Sequence, residues 1–273
     1  MKLQNRVAII TGAGGGIGRG IALALARRGC HLALADIDEA GLAQTAALTG
    51  ALGVQTSCHR LDVASAQAVA ALPADVLQIH GRVDVLINNA GVALGGAFVD
   101  VSEADFDWLM NINFHAVVRM TRAFLPLLQA SDRARIVNIS SLFGLISPPG
   151  QAAYCASKFA VRGFSNALRH ELAGTHIGVT VAHPGGVASS IAKSARMPAS
   201  LAPEKVEQSR VLAEKLLRMP PDKAGEIIVR SIEKERSRVL VGIDAIILSW
   251  LERLVPVHYW RVLDPRNRLK WNG

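Results

Sequence analysis

The sequence predicts an α/β protein in which helices cover both faces of an open, doubly wound parallel sheet, giving three αβα layers in a single domain. Short, almost continuously apolar segments alternate along the chain with longer segments of helical periodicity. Strands of continuous apolar character are typical of a parallel sheet that is buried on both faces. The length of 273 residues suits one large domain of this kind.

The predicted strands are the short apolar runs, of which Val7-Ala8-Ile9-Ile10 is the first. They lie at residues 7–10, 31–35, 54–61, 83–87, 135–139, 177–182 and 239–241. The predicted helices lie at residues 17–28, 39–52, 65–80, 103–129, 151–173 and 222–234, and residues 103–129 accommodate either one helix or two. The first helix illustrates the pattern, because Ile17, Ile21 and Leu25 recur on one face.

The domain organisation follows from the continuity of this pattern. No linker and no internal repeat interrupts the alternation of strands and helices before the last strand. Residues 1–243 are therefore predicted to form one domain, and residues 244–273 a separate C-terminal extension with an amphipathic pattern.

Charge and cysteine content exclude several classes of protein. The net charge of +8 comes from scattered basic residues without a nucleic-acid-binding motif, so we expect no nucleic-acid partner. The spacing of Cys30, Cys58 and Cys155 fits neither a metal site nor a disulfide framework, and it agrees with a reducing compartment. The first ten residues lack the pattern of a secretory signal, and no apolar run reaches the roughly 20 residues of a spanning helix. We expect a cytoplasmic protein without a metal ion.

A glycine-rich turn follows the first strand and opens the first helix. Glycine lets the backbone turn tightly and approach a phosphate, while the helix N-terminus offers free N–H groups to it. This order of strand, turn and helix predicts a pyrophosphate site, although the strict G-x-G-x-x-G spacing is absent. The residues of the site are Gly12, Gly14, Gly15, Gly16, Ile17 and Gly18.

The acid at the end of the second strand predicts the choice of nucleotide. Asp36 can accept both ribose hydroxyls of an adenine nucleotide, and its charge would repel a 2′-phosphate. Ile37 and Asp38 follow, so no cation stands directly behind Asp36 to favour NADP. The sequence therefore favours NAD, while Arg19 in the first helical turn leaves NADP open.

Tyr154 and Lys158 lie four residues apart in a helical segment, so both side chains share one face. A free tyrosine ionises near pH 10, too high for a base at neutral pH, and a nearby ammonium group is expected to lower its pKa. Tyr154 could then exchange a proton with a substrate oxygen. Ser141, at the end of the strand before this helix, could hold that oxygen.

These residues together resemble the short-chain dehydrogenase/reductase family over roughly residues 5–243. The glycine turn, Asn88-Asn89-Ala90-Gly91, and the set Asn113, Ser141, Tyr154 and Lys158 match motifs of that family. The resemblance implies a Rossmann-like fold and hydride transfer between a nicotinamide and a carbonyl or secondary alcohol. It implies further cofactor contacts at Asp62, Val63, Asn89, Ala90, Gly91, Pro184, Gly185, Val187 and Ser189, the last standing where a threonine is usual.

The resemblance also implies roles for individual residues and an assembly. Lys158 would bind the nicotinamide ribose as well as assist Tyr154, and Asn113 would hold a water molecule that links Lys158 to solvent. A homodimer or homotetramer would form through the long helices that carry Asn113 and Tyr154.

Two alternatives stay open at this point. Gly15 also allows a Thr-Gly-x-x-Gly-x-x-Gly reading, as in the longer sugar-nucleotide epimerases, although the short chain and Asn88-Asn89-Ala90-Gly91 argue against that branch. A catalytically silent nucleotide-binding sensor or scaffold is the second, but such a protein would not need to keep the catalytic set together.

The substrate is predicted only by class. Residues 191–221 follow the predicted cofactor contact at Ser189 and are expected to cover the substrate. Because this segment carries several apolar side chains, we expect an apolar substrate. His183, close to the site, is expected to be structural.

The C-terminal extension carries an apolar stripe that includes Trp250, Leu251 and Leu254, together with aromatic and basic residues further on. This pattern fits either packing on the protein itself or a partner, or peripheral contact with an anionic membrane through Trp250, Trp260 and nearby arginines. The pattern continues beyond Val262 with further basic and aromatic residues, namely Arg266, Arg268, Lys270 and Trp271.

Overall fold

The computed structural model describes residues 1–264, in which seven parallel strands form one sheet in the order β3-β2-β1-β4-β5-β6-β7. The strands are β1 (Val7–Thr11), β2 (His31–Asp36), β3 (Thr56–Arg60), β4 (Val85–Asn88), β5 (Ala134–Ile139), β6 (Ile177–Pro184) and β7 (Arg238–Val241). The helices are α1 (Gly16–Ala26), α2 (Glu39–Gly50), α3 (Ala66–His80), α4 (Glu103–Met110), α5 (Ala116–Ala130), α6 (Ala152–Glu171), α7 (Pro203–Leu216), α8 (Pro221–Glu233), α9 (Ile243–Leu254) and α10 (Tyr259–Leu263).

The predicted Rossmann-like, three-layer αβα fold is confirmed. β1 is buried along its whole length and pairs with β2 on one side and with β4 on the other. The direction of winding reverses between β1 and β4, which opens a crevice at the carboxyl edge of the sheet where ligands of such folds bind. The glycine turn after β1 lies at this reversal point.

Two apolar cores hold the helical layers on the sheet. One core joins α1 and α8 to residues of β1 and β2, and the other joins α3, α5 and α6 to the opposite face. The backbones of α1 and α8 touch, because a Cβ atom on Gly20 would lie 2.4 Å from the Pro221 carbonyl oxygen. Such an approach leaves no room for any side chain at Gly20.

The predicted positions of the strands and helices agree with the structure, and the differences occur where local structure is irregular. The predicted strand at residues 54–61 is shorter, at Thr56–Arg60. The predicted segment 103–129 is α4 and α5 joined by one π-helical turn at Asn111–His115. The sequence does not predict the helix α7, because this segment is polar and its apolar residues do not mark a buried face.

The C-terminal helices pack on the protein only in part. Ala245, Leu248 and Tyr259 contact the Leu142–Ile146 segment, and the Tyr259 hydroxyl accepts a hydrogen bond of 2.7 Å from the Ser147 N–H. The other side of α9 is open, with Trp250 56% and Leu254 74% exposed. The proposed contacts at Arg266, Arg268, Lys270 and Trp271 lie outside the described residues.

Candidate active site

The four predicted catalytic residues meet at the carboxyl edge of β4 and β5. Ser141 follows β5, and its hydroxyl accepts a hydrogen bond from the Phe143 N–H at 3.1 Å, which fixes the start of a short 3₁₀ turn. Tyr154 and Lys158 lie one turn apart on α6, and Asn113 lies in the π-helical turn before α5. The topology therefore brings together residues that the sequence separates by up to 45 positions.

The tyrosine and its neighbours form a compact group. The side chain of Ser141 shares a hydrogen bond with the Tyr154 hydroxyl. The Lys158 ammonium lies 5.7 Å from the centre of the Tyr154 ring, and it donates a hydrogen bond of 3.2 Å to the Ile139 carbonyl. Lys158 is only 4% exposed, so its charge is held in a site with few partners.

The pKa of Tyr154 moves in the direction opposite to the prediction. Burial raises the pKa of Tyr154 to about 12, against the smaller lowering effect of the Ser141 hydrogen bond. Burial also lowers the pKa of Lys158 to about 8. The expected lowering by Lys158 is therefore wrong, because the free-energy cost of removing the phenolate from water exceeds the stabilisation by neighbouring groups. Tyr154 is therefore neutral near pH 7.

Asn113 is buried and fixes the loop after β4, so it does not lie on a solvated helix face. Its side-chain oxygen accepts from the Val92 N–H at 2.8 Å, and its amide donates to the Val92 carbonyl at 3.0 Å and to Ser157 at 3.1 Å. A Cβ atom on Gly91 would lie 3.2 Å from the Asn113 oxygen and 3.4 Å from the Lys158 nitrogen. Asn113 and Lys158 thus flank the same point of the loop.

The glycine turn has the close backbone approach that its sequence predicts. Gly12 has a φ of +67°, and a Cβ atom there would lie 2.8 Å from the Ala90 Cα atom. A Cβ atom on Gly18 would lie 2.0 Å from the Gly12 oxygen, whereas nothing lies within 4 Å of one on Gly15. No side chain caps the N-terminus of α1, so its first N–H groups are available to a ligand. Ile17 packs against the adjacent core.

Asp36 is held in place at the end of β2. One carboxylate oxygen accepts from the Gly14 N–H at 2.8 Å, and the other accepts from the Asp38 N–H at 3.1 Å. The next residue, Ile37, is 60% exposed. The acid therefore stands directly beside the glycine turn, where a nucleotide ribose would meet it.

Arg19 binds the main chain of the glycine turn and side chains of α2. Its guanidinium donates to the Gly14 carbonyl at 2.5 Å, to Thr45 at 2.9 Å and to Gln44 at 3.0 Å. These bonds tie α1 to α2. Arg19 is thus already engaged, which weakens its suggested role as a phosphate ligand.

The loop after β4 is built onto the glycine turn. The Asn89 amide donates to the carbonyl oxygens of Thr11 and Gly12, both at 3.0 Å. The Ala90 N–H donates to the Thr11 hydroxyl at 3.1 Å. Asn89 and Ala90 therefore support the glycine turn. Thr11 supports it too, a role that was not predicted from the sequence.

The predicted cofactor contacts Asp62 and Val63 lie just after β3. The carboxylate of Asp62 accepts from the Ala64 N–H at 2.9 Å, which shapes the turn. Val63 is buried. These two residues lie on the same sheet edge as Asp36, across the strands β2 and β3.

The segment after β6 is fastened by a residue that sequence reasoning missed. Asp244, in the first turn of α9, accepts a hydrogen bond of 2.6 Å from the Gly186 N–H. A Cβ atom on Gly185 would lie 2.1 Å from the same carboxylate. Pro184 ends β6, and Val187 is buried. No local pattern links Asp244 to a glycine 58 positions earlier, so the sequence alone offers no signal for it.

The segment also reaches the glycine turn. A Cβ atom on Gly16 would lie 3.2 Å from the Cβ atom of Ser189. The predicted cofactor residues from β1, β2, β4 and β6 therefore border one crevice. The open space at Gly15, the uncapped α1 and the fixed Asp36 fit a dinucleotide.

The expected substrate cover is partly detached from the core. Met197 lies beside Gly95, with its sulfur 2.9 Å from where a Cβ atom on that glycine would be. On α7, Val211, Leu212 and Leu216 are 41%, 61% and 67% exposed. A large part of the surface of these apolar side chains is therefore exposed.

Two further observations concern classes of site. Over residues 1–264 no group of three or more histidine, cysteine or acidic side chains is placed to hold a metal ion. Over the same range, no helix combines the length and apolar character needed to cross a membrane.

The sequence and the fold both have relatives. Residues 6–199 match the protein family described as short chain dehydrogenase. The chain is 43% identical to a Mycobacterium tuberculosis (strain H37Rv) protein named SadH, over 96% of this chain and 95% of that protein. It is 36% identical to the oxidoreductase UcpA of Salmonella typhimurium, over 90% and 94% respectively.

A solved structure is similar over nearly the whole chain. The structure of a short chain dehydrogenase/reductase from Burkholderia phymatum in complex with NAD superposes with a TM-score of 0.84. The two chains are 30% identical, and the match covers 93% of this chain and 95% of that one.

Proposed function

The chain belongs to the short-chain dehydrogenase/reductase family, and from that premise we propose that it is an NAD-dependent oxidoreductase of small carbonyl compounds or secondary alcohols. Hydride would pass between the nicotinamide and the carbonyl carbon, with Tyr154 as general acid and base. The observation that carries this proposal is the meeting of Tyr154 with the Ser141 side chain, beside the buried ammonium of Lys158.

Each catalytic residue has a distinct task. The bound nicotinamide supplies or accepts the hydride. Tyr154 donates its proton to the substrate oxygen during reduction, which its neutral state already allows, and Ser141 holds the same oxygen. For oxidation Tyr154 must be a phenolate, so Lys158 must keep its positive charge close to the phenolate oxygen.

Lys158 and Asn113 complete the proposed proton path. Lys158 would also hold the nicotinamide ribose. The Asn113 oxygen and the Lys158 nitrogen both border Gly91, which supports a relay between them.

The proposed cofactor is NAD. Its pyrophosphate would lie over the glycine turn and the uncapped N-terminus of α1, and Asp36 would accept the adenosine ribose hydroxyls. The engagement of Arg19 with α2 supports NAD over NADP. The other predicted contacts are Ile37, Asp62, Val63, Asn89, Ala90, Gly91, Pro184, Gly185, Val187 and Ser189.

The proposed substrate is apolar. The exposed leucines and valine of α7 would cover it, because closing such a segment over an apolar molecule buries surface that water otherwise meets. A panel of apolar alcohols and ketones, followed by NADH absorbance, tests both the reaction and this preference. Binding of NADH without turnover on any substrate would favour the sensor reading.

The proposed assembly is a homodimer or homotetramer through α5 and α6. Phe159 on α6 is 37% exposed, and a T-shaped pair of Phe114 and Phe164 lies near the same helices. Light scattering after size-exclusion chromatography tests this. A monomer at micromolar concentration would contradict it.

The C-terminal extension, residues 244–273, is proposed to contact an anionic membrane surface, while the enzyme is otherwise cytoplasmic. Exposed apolar side chains on α9 are accompanied by Arg253, whose guanidinium lies 5.7 Å from the Trp250 ring centre. An apolar face flanked by cations matches a lipid interface. The three free cysteines support a reducing compartment.

Vesicle co-sedimentation tests the membrane contact. We expect anionic vesicles to retain the protein at low salt and to release the Trp250→Ser/Leu254→Ser variant. Val99→Ser removes an apolar side chain that is 88% exposed elsewhere and should change nothing. If the intact protein stays in the supernatant, or forms a dimer that the double variant breaks, the open face serves a second copy of the chain.

A further inference from the structure

A basic cleft lies between α6 and the sheet edge formed by β6 and β7, apart from the crevice described above. It has a volume of about 430 Å³, within the size of small-molecule sites. Arg162, Asn166 and Arg169 project from one face of α6, and Arg238 with Ser237 comes from the start of β7. We call this group the arginine cleft.

The three guanidinium groups of the arginine cleft have only neutral partners. Arg162 donates to the Gly144 carbonyl at 3.2 Å, Arg169 to the Asn166 side chain at 3.1 Å and Arg238 to Ser249 at 2.9 Å. No carboxylate among residues 1–264 forms an ion pair with any of them.

The arginines that precede β1 and β4, in contrast, are paired with a carboxylate. Arg6 and Arg82 both bind Asp84, and Asp84 also accepts from the Val7 N–H at 2.8 Å. There the charges are neutralised within the fold. In the arginine cleft no such ion pair forms among the described residues, so three positive charges face one space.

The floor of the cleft holds a buried polar atom without a partner. His183 is completely buried, and its Nδ1 lies 3.0 Å from the Ser141 carbonyl oxygen, to which it donates. Its Nε2 makes no hydrogen bond within the described chain. Buried polar atoms are nearly always satisfied, so an unpartnered one beside a cleft indicates a missing ligand.

We propose that the arginine cleft binds a phosphate-bearing anion, and that His183 takes up a proton when it binds. The guanidinium forks donate to the anion oxygens, for which their geometry is suited. Nε2 accepts a proton from the buffer and then donates it in a charge-assisted hydrogen bond to the same anion.

The charges around His183 explain why the proton arrives with the anion. Burial, followed by the charges of Arg238 and Arg162, lowers the pKa of His183 to about 4, although the Ser141 carbonyl acts in the opposite direction. From α9, Glu252 and Arg253 act on Arg238 with opposite signs. An anion among the arginines offsets their repulsion of the imidazolium, so its binding raises the pKa of His183 and favours protonation.

The test is calorimetric titration of inorganic phosphate into the enzyme at pH 6. The enzyme is first saturated with NADH so that the glycine turn is not free to bind phosphate. Two organic buffers with different ionisation enthalpies report the protons taken up. We expect saturable binding with proton uptake in the wild type.

Three variants locate the site. Arg169→Gln/Arg238→Gln should weaken phosphate binding roughly 10- to 100-fold, because two charged donors are lost. His183→Gln should abolish proton uptake and retain weaker binding. Arg27→Gln removes an exposed arginine at the far end of α1, whose side chain has no partner among residues 1–264, and should match the wild type.

Several results would overturn the proposal. Equal affinity in the wild type and in Arg169→Gln/Arg238→Gln would exclude the cleft, and saturable binding without proton uptake would exclude the role of His183. If phosphate does not bind and the arginine variant dissociates an oligomer, the cleft is an interface. The arginine variant changes only side chains at the cleft surface, so the test does not depend on His183→Gln folding.

A vesicle arm distinguishes the two sources of phosphate. Retention of the wild type, but not of the arginine variant, on phosphatidic acid vesicles assigns the anion to a lipid headgroup, provided that inorganic phosphate reverses it. Phosphate binding without such retention assigns it to a free phosphate ester. Because neither arm measures turnover, failure here is distinguishable from failure of the proposed enzyme activity.

Discussion

The two halves of the crevice are built by different means. The half formed by β1 and β2 is defined by backbone contacts: Gly18 leaves no room for a Cβ atom, and Asn89 and Asp36 hold main-chain groups of the turn. The half formed by β4 and β5 is defined by buried titratable side chains, of which Tyr154 and Lys158 both have displaced pKa values. One half is therefore sensitive to added volume and the other to the loss of a single polar atom.

This difference also affects how each half contributes to the stability of the fold. In the first half the polar side chains are held by hydrogen bonds to main-chain groups. In the second half the Lys158 ammonium group is buried and donates a hydrogen bond to the Ile139 carbonyl. Burying this charge lowers the stability of the fold, as is common for residues of functional sites.

The largest effect is expected at Tyr154. Tyr154→Phe removes the ionisable oxygen and little volume, so turnover should fall by about 10²- to 10⁴-fold or more while NADH still binds. The other tyrosine provides a matched control: Tyr259→Phe also removes one hydroxyl hydrogen bond, but should retain most of the activity. Comparable losses in both variants, measured as kcat on the same substrate, would contradict the assignment.

The next effect concerns volume in the glycine turn. Gly18→Ala places a Cβ atom 2.0 Å from the Gly12 oxygen, so the turn must shift, at a cost of about 1–3 kcal/mol. We expect a lower unfolding midpoint and weaker NADH binding. Gly163→Ala, in a helix with open space at that position, should leave the midpoint unchanged or raise it. Equal midpoints for the two variants would show that the turn tolerates volume.

Charge at the nucleotide ribose gives a smaller effect. Asp36→Asn keeps an oxygen for the Gly14 N–H but removes the repulsion of a 2′-phosphate, so the preference for NADH over NADPH should narrow by roughly tenfold. Asp38→Asn removes the same charge two residues away, with its helix cap retained, and should leave the preference unchanged. Fluorescence titration of both nucleotides measures this. A wild type that prefers NADPH would contradict the role of Asp36.

The smallest effect separates stability from activity at Lys158. Burial lowers its pKa from 10.5 to about 8, so between these values the unfolded chain binds more protons than the folded one. Stability linked to this group therefore rises with pH from about 8 to 10.5 and is lowest below that window. Lys158→Met should be inactive yet more stable at pH 7, by on the order of 1–3 kcal/mol, with the gain shrinking toward pH 10. A less stable variant at pH 7, in denaturant unfolding, would refute this.

Local patterns were sufficient to predict the fold and to propose site residues that the structure brings close together. The strands were readable because burial on both faces leaves an almost continuous apolar run, as in β1. The grouping of Ser141, Tyr154 and Lys158 was readable because residues at strand ends and on one helix face must meet.

Features that depend on distant parts of the chain were not readable. The pKa of Tyr154 depends on how deeply the fold buries its hydroxyl, which no spacing records. Asp244 supports Gly186 from the far end of the chain, and the arginine cleft joins α6 to β7. The π-helical turn at Asn111–His115 inserts one irregular turn into a segment that reads as continuous helix.

The contacts made by Asp244 and Tyr259 have a consequence for synthesis on the ribosome. The chain emerges from its N-terminus, so the glycine turn and its supports can fold while the last helices are still being made. The Gly186 and Ser147 main-chain groups receive their partners only when residues 244 and 259 emerge. The segment after β6 and the turn that ends at Ser147 are therefore the last parts of the crevice wall to be fastened.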